Sequence, residues 1–210
     1  MVISPSPGMA EILRQLQVKS QIKVIPNGVD MQRFRELTPL VRADFGFSEK
    51  DILLIYTGRL APEKNLEFLL QAFNGVAQAV DNVRLLLLGD GPIREKLTQQ
   101  AAESKATERI HFVGMIAYEK MPAYLAMCDA FVTASVTEVH PLSVIEAMGA
   151  GLPILGIHSP GVSDSVEDGI SGFLSDKDLP SFTAKMTRLC LDETLRKSMS
   201  TAAREASRLY

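Results

Sequence analysis

Ser135-Val-Thr-Glu138-Val-His140-Pro-Leu142-Ser-Val-Ile-Glu146-Ala-Met-Gly149-Ala-Gly151-Leu-Pro153-Ile-Leu155 is the stretch on which the fold turns. An apolar run, Ala130 to Thr133, ends just before it, and a polar loop carries the first acid. The register then changes to a short helix, Leu142 to Gly149, which closes on glycines, and Pro153 opens another apolar run to Ile157. A strand, a polar loop, a helix and a second strand in that order form a unit of parallel sheet.

The same alternation extends in both directions. Ile52 to Tyr56, Val83 to Leu88 and Ile110 to Val113 are nearly continuous apolar runs of strand length, as expected of strands buried on both faces. Between them Leu66, Leu69, Leu70, Phe73, Ala77 and Val80 recur at helical spacing, with Pro62 suited to a first helical turn. Further helices are expected over residues 92–104, 119–127, 181–191 and 193–209. The fold class is therefore α/β: a Rossmann-like, doubly wound parallel sheet with helices on both faces. In such a sheet ligands gather at the carboxyl ends of the strands.

Composition limits the function classes. The chain has 210 residues, 46% apolar and 22% charged, with a formal net charge of −3, which suits a soluble globular domain and gives no whole-chain attraction to nucleic acid. No apolar run reaches the roughly 18 residues of a bilayer span, which leaves only peripheral membrane contact open to a full enzyme. Cys128 and Cys190 are far apart in helical segments and read as reduced, buried thiols, so a cytoplasmic location is expected. No metal-ligand spacing is present, and His111 and His158 read as structural.

Every chemically suggestive segment falls at a strand end. In Thr57-Gly58-Arg59-Leu-Ala-Pro-Glu-Lys64-Asn65, Gly58 admits close backbone approach and Arg59 and Lys64 suit a diphosphate, so the crevice is expected to be electropositive. The helix starting at Leu142 and Ser143 offers free amides and the positive end of its dipole to an anion. Glu138 and Glu146, with seven residues between them, can each accept hydrogen bonds from a diol. A diphosphate between two hydroxyl-rich rings, as in a nucleotide sugar, matches all of these features. Leu88-Gly-Asp-Gly-Pro92 lacks the third glycine of a dinucleotide fingerprint and reads as a structural turn. Val113-Gly114-Met115 can border a planar base or simply end a strand. His140 can contact a sugar hydroxyl or phosphate, or pack the loop.

Taken in order, Val24-Ile-Pro-Asn-Gly-Val-Asp30, Gly58 to Asn65, Leu88 to Pro92, His111-Phe-Val-Gly114, Glu138-x7-Glu146-Ala-Met and Gly151-Leu-Pro resemble the carboxyl-terminal, donor-binding domain of the retaining family 4 (group 1) glycosyltransferases of GT-B fold. The likeness covers residues 24 to about 174. It implies that Arg59 and Lys64 hold a donor diphosphate, of UDP or GDP type, and that Glu146 binds the ribose hydroxyls. Glu138 then lies against the transferred hexosyl group, Leu142 and Ser143 give amides to phosphate, and Val113 to Met115 border the base.

The resemblance further implies that residues 1–24 are a remnant of an amino-terminal, acceptor-holding domain plus linker, and that 25–210 form the donor domain. Val2 to Ser6 reads as the tail of a strand from that missing half. As such a fragment the chain is expected to bind donor without transferring it, and no cofactor or metal is expected. The acceptor is left unassigned. Departures concentrate near the sugar: Val139-His-Pro-Leu142 replaces the usual glycines and aromatic, and Asp164 stands where a Glu is common. Other readings are a non-catalytic nucleotide-sugar-binding module, a GT-B-like epimerase or a phosphorylase.

Overall fold

The computed structural model describes residues 1–34 and 37–210. Its main body is a six-stranded, wholly parallel sheet of β3 (Ile52–Thr57), β4 (Val83–Leu88), β5 (Ile110–Gly114), β6 (Ala130–Val132), β7 (Ile154–Ile157) and β8 (Gly172–Ser175). The spatial order is β5-β4-β3-β6-β7-β8. The chain winds outward one way from β3, returns to its other side at β6, and winds outward again. Between β3 and β6 the strand order reverses, and a crevice opens there at the carboxyl ends.

Both faces of the sheet are covered. Leu54 and Tyr56 of β3 join Leu85 and Leu87 of β4 in a core shared with α2 (Leu66–Ala79) and α7 (Leu179–Leu191). Leu53, Ile55, Leu86 and Leu88 point the other way, into a core shared with α4 (Met121–Met127) and α5 (Leu142–Gly149), where Ala203 of α8 (Glu193–Ala206) also packs. This is why these strands read as unbroken apolar runs rather than as alternating ones. Leu53, Leu54 and Ile55 are fully buried, each contributing about 1.5–3 kcal/mol of transfer free energy.

Two local differences from the sequence expectation bear on the site. The helix expected to begin near Pro62 does so only as a 3-10 turn, Pro62–Lys64. Asn65 then takes a left-handed conformation (φ 54°), which interrupts the ladder, and the α-helix starts at Leu66. Two short elements absent from the sequence reading, β8 and the six-residue α6 (Pro160–Ser165), complete the far edge.

The first residues form a separate parallel pair. β1 (Val2–Ser4) runs beside β2 (Ile22–Val24), joined by α1 (Pro7–Gln15). The Ser6 hydroxyl caps α1 by accepting from the Met9 amide, and Pro7 sits at its first turn. The Gly8 amide donates to Asp164 Oδ2 at 2.8 Å, docking α1 on α6.

Candidate functional site: a two-part cleft at the strand reversal

The loop after β3 is held against the loop after β6 by three contacts. Asn65 Nδ2 donates to the Ala134 carbonyl at 3.2 Å, Ser135 Oγ donates to the Glu63 carbonyl at 3.4 Å, and Lys64 Nζ meets Glu138 Oε1 at 2.6 Å. The left-handed turn at Asn65 thus serves two ends: it starts α2 and aims Lys64 across the crevice. Tyr56 Oη donates to the Arg59 carbonyl at 3.1 Å, and burial pushes that phenol well above its ordinary range, so it stays a donor.

A cleft of about 400 Å³ opens here, lined among others by Thr57, Gly58, Arg59, Lys64, Thr133, Glu138, Ser143 and Glu146. On its far wall α5 begins without a side-chain cap: Pro141 precedes it and has no amide of its own. The Val144 and Ile145 amides return to the Pro141 carbonyl, whereas Leu142 and Ser143 occupy the first turn, where amides have no partner within the helix. One turn further, Glu146 is only 7% exposed. Burial raises its pKa, opposed by a hydrogen bond that its Oε1 accepts from Tyr118 Oη at 2.7 Å.

A second cleft of about 490 Å³ adjoins the first, sharing Gly58, Arg59, Tyr118 and Met121 and adding Leu88, Gly89, Asp90, Met115 and Ile116. Its lining is mostly apolar. Its floor depends on close backbone approach: a Cβ at Gly89 (φ +136°) would lie 1.9 Å from the Gly58 oxygen, and one at Gly91 2.3 Å from the Leu60 oxygen. The Leu60 amide donates to Asp90 O, and the Gly89 amide to Gly114 O. The glycine turn therefore has a packing reason, and it shapes the apolar wall.

Gly58, Arg59, Lys64, Glu138, Ser143 and Glu146 are brought together, and Met115 lines the apolar part. Val113, Gly114, Leu142 and His140 line neither part. Val113 packs into the core beside Leu86 and Leu88, and Gly114 turns at φ +82° with its oxygen accepting from Gly89. The Leu142 side chain is exposed. The His140 ring lies edge-on to Tyr210 at 5.4 Å, its buried nitrogens without hydrogen-bond partners, and burial lowers its pKa.

The expected electropositive crevice is not what forms. Arg59 pairs with Glu63 and Lys64 with Glu138, and the lining holds two cations against three carboxylates, a net charge of −1. The lining therefore carries no net positive charge, and the first-turn amides of α5 are the donors in it suited to an anion. Arg59 is 67% exposed on its side chain, and so open a pair is worth only about 0–1 kcal/mol, so its guanidinium is free to turn at little cost. Tyr118 was missed by the sequence reading because its partner lies 28 residues away with no local pattern to announce it. The Arg59–Glu63 pair had a readable signal in its i,i+4 spacing. Among the described residues, no group of three or more His, Cys, Asp or Glu is placed to hold a metal, and no helix is long and apolar enough to cross a membrane.

A doubly wound α/β domain with an anion-ready helix start and two acids at its strand reversal belongs to the class of Rossmann-like nucleotide-binding folds. The chain is a member of the glycosyl transferases group 1 family, whose model matches residues 38–206. It is 30% identical over 179 residues to the alpha-monoglucosyldiacylglycerol synthase of Streptococcus pneumoniae, covering 82% of this chain and 41% of that protein. It is 27% identical over 198 residues to the GDP-mannose-dependent alpha-(1-6)-phosphatidylinositol monomannoside mannosyltransferase of Mycobacterium tuberculosis, covering 89% and 51%. The chain therefore spans about half or less of the length of these relatives. Among solved structures, it resembles sucrose-phosphate synthase from Thermosynechococcus elongatus (TM-score 0.88, 25% identity, 99% of this chain and 53% of that one). Anabaena HepE in complex with UDP is similar in fold (TM-score 0.88, 23% identity, 100% and 59%).

Proposed function

We propose that this chain is the donor-binding half of a retaining glycosyltransferase that moves a hexosyl group from a nucleotide diphosphate sugar to an acceptor held by an amino-terminal domain. The observation that carries the proposal is the continuity of the two clefts. The apolar part accepts a base, Glu146, in the polar part and bonded to the shared Tyr118, accepts a ribose diol, and the α5 amides with Arg59 face the diphosphate. Glu138, already bonded to Lys64, stands where the sugar would follow. A GDP or UDP donor is supported by the GDP-mannose-dependent relative and by the fold neighbour solved with UDP. The family match favours transfer over epimerisation or phosphorolysis.

In that reading the bond from the sugar to the diphosphate breaks while Arg59, Lys64 and the helix amides hold the charge that leaves with the diphosphate. Lys64 exchanges Glu138 for phosphate as the donor enters. Glu138 is then free to accept from the sugar hydroxyls. The test is transfer by the full-length enzyme with UDP- and GDP-hexoses, with and without Glu138→Gln. A loss of about 10²–10³-fold in transfer for Glu138→Gln is expected if Glu138 acts at the reacting sugar. Absence of transfer from every donor by the unaltered enzyme would favour the non-catalytic binding module instead.

A further inference from the structure

We propose that Tyr118 is a positioning residue for Glu146: its hydroxyl occupies one carboxylate oxygen from the seam between the clefts, turning the other toward a vicinal diol and giving the site its preference for ribose over deoxyribose nucleotides. This rests on the donor-site reading above.

The geometry is closed on itself. Tyr118 stands in the 3-10 turn Tyr118–Lys120 that precedes α4, lines both clefts, and donates to Glu146 Oε1 at 2.7 Å, a length typical of a hydroxyl bonded to a carboxylate. Its ring is held from the other side by the 3-10 turn Met31–Phe34: the Arg33 guanidinium lies 5.1 Å from the ring centroid, and Phe34 meets it edge-on at 6.3 Å. That turn in turn docks on α5, where Gly149 makes room for Met31; a Cβ there would come within 2.4 Å of the Met31 methyl. The helix that carries Glu146 and the ring that holds Glu146 are thus braced by the same 3-10 turn, Met31 and Phe34 on the helix and Arg33 and Phe34 on the ring.

The protonation state agrees with the role. Burial, and then the bond to Glu146, push the Tyr118 phenol up to about 12, so it remains a donor at neutral pH. A carboxylate that is held at one oxygen has fewer orientations to lose when a ligand binds, so its second oxygen presents a fixed acceptor. Without the hydroxyl, Glu146 would be buried with no hydrogen-bond donor among the described residues.

The test is calorimetric titration of wild type and Tyr118→Phe with UDP, GDP and their 2′,3′-dideoxy counterparts. For the ribonucleotide that binds wild type, a loss of roughly 2- to 12-fold is expected, the fold-change of one net hydrogen bond, while the dideoxy form is bound equally by both proteins. The hydroxyl favours the carboxylate form, so the acid limb of ribonucleotide binding moves to higher pH in Tyr118→Phe. Among the described residues, Arg33 and Asp30 are the other charged groups bearing on Tyr118, and Arg33→Ala, which frees the ring, is expected to fall between wild type and Tyr118→Phe in selectivity. Equal losses for ribo- and dideoxynucleotides with an unmoved acid limb would overturn the role of Tyr118 alone. Binding of neither UDP nor GDP by wild type would overturn the donor-site reading, and this inference with it.

Discussion

Lys64→Ala isolates the contact on which both the shape of the polar cleft and its chemistry depend. The ion pair with Glu138 is 2.6 Å long, with the two side chains 23% and 18% exposed. Exposed pairs are worth about 0–1 kcal/mol, and breaking a fully buried one costs about 3–5 kcal/mol. At about one-fifth exposure, a cost of roughly 1.5–3 kcal/mol is expected for Lys64→Ala, because Glu138 is left without its cation in a loop that Asn65 and Ser135 keep from relaxing.

In a domain of this size that corresponds to a fall in Tm of about 3–12 °C. Glu138→Ala should cost less, about 0.5–1.5 kcal/mol, because the long Lys64 side chain can turn its ammonium to solvent. The double variant should then cost about 1–2 kcal/mol less than the two losses added, in a cycle measured by urea unfolding. Binding should separate the partners further: Glu138→Ala frees Lys64 for phosphate and tightens UDP or GDP severalfold, while binding of the corresponding nucleotide sugar weakens. Unfolding costs that add within about 0.5 kcal/mol would show that the pair is not formed and would remove the basis for the exchange of Lys64 from acid to phosphate.

Glu146→Gln is expected to stabilise the domain by about 0.5–2 kcal/mol at neutral pH, a trade of stability for a functional charge measured by urea denaturation. Because the folded-state pKa of Glu146 is raised above 4.5 by burial, wild type is relatively most stable below that value and loses stability as pH rises through the folded pKa; Glu146→Gln should lack that loss. His140→Phe should gain about 1 kcal/mol in thermal unfolding by replacing two orphaned buried nitrogens with carbon. His140 and His111 both have pKa values lowered by burial, so stability present above about pH 6.5 should decline as pH falls through their folded values, less steeply in His140→Phe. Gly89→Ala places a Cβ against the Gly58 oxygen at a φ of +136° and should cost at least about 3 kcal/mol, with an unchanged Cm in urea as the contrary result.

Legibility in the sequence followed burial and length. β3 and β4 were readable because both of their faces enter a core, which leaves an unbroken apolar run. Gly172–Ser175 was not, since four residues flanked by serines and glycine carry too little pattern, and α6 is six residues rich in Ser, Asp and Gly. α1 was readable in principle from Ser6 and Pro7, a cap and a first-turn proline, although little of its surface is buried.

In the site, the strand-end loops carried the signal: the glycine and cations after β3 and the spaced acids around α5 do meet in one cleft. What the sequence hid was the pairing of those groups. Charges read singly suggested a positive crevice, whereas Glu63 and Glu138 neutralise both cations, and Lys64 finds its acid 74 residues away. His140 looked available because its loop is polar, yet the fold turns its ring onto Tyr210. Tyr118 had no reason to stand out until the chain brought it to Glu146.

The central claim is that the joined clefts bind a nucleoside diphosphate through Glu146 and the start of α5. Isothermal titration of this chain with UDP and GDP at low ionic strength, repeated with Glu146→Gln, tests it most directly. Saturable one-to-one binding of one nucleotide, weakened roughly 10- to 150-fold by Glu146→Gln as expected for hydrogen bonds to a charged group, is the predicted result. Binding of neither nucleotide, or binding that Glu146→Gln leaves unchanged, would contradict it.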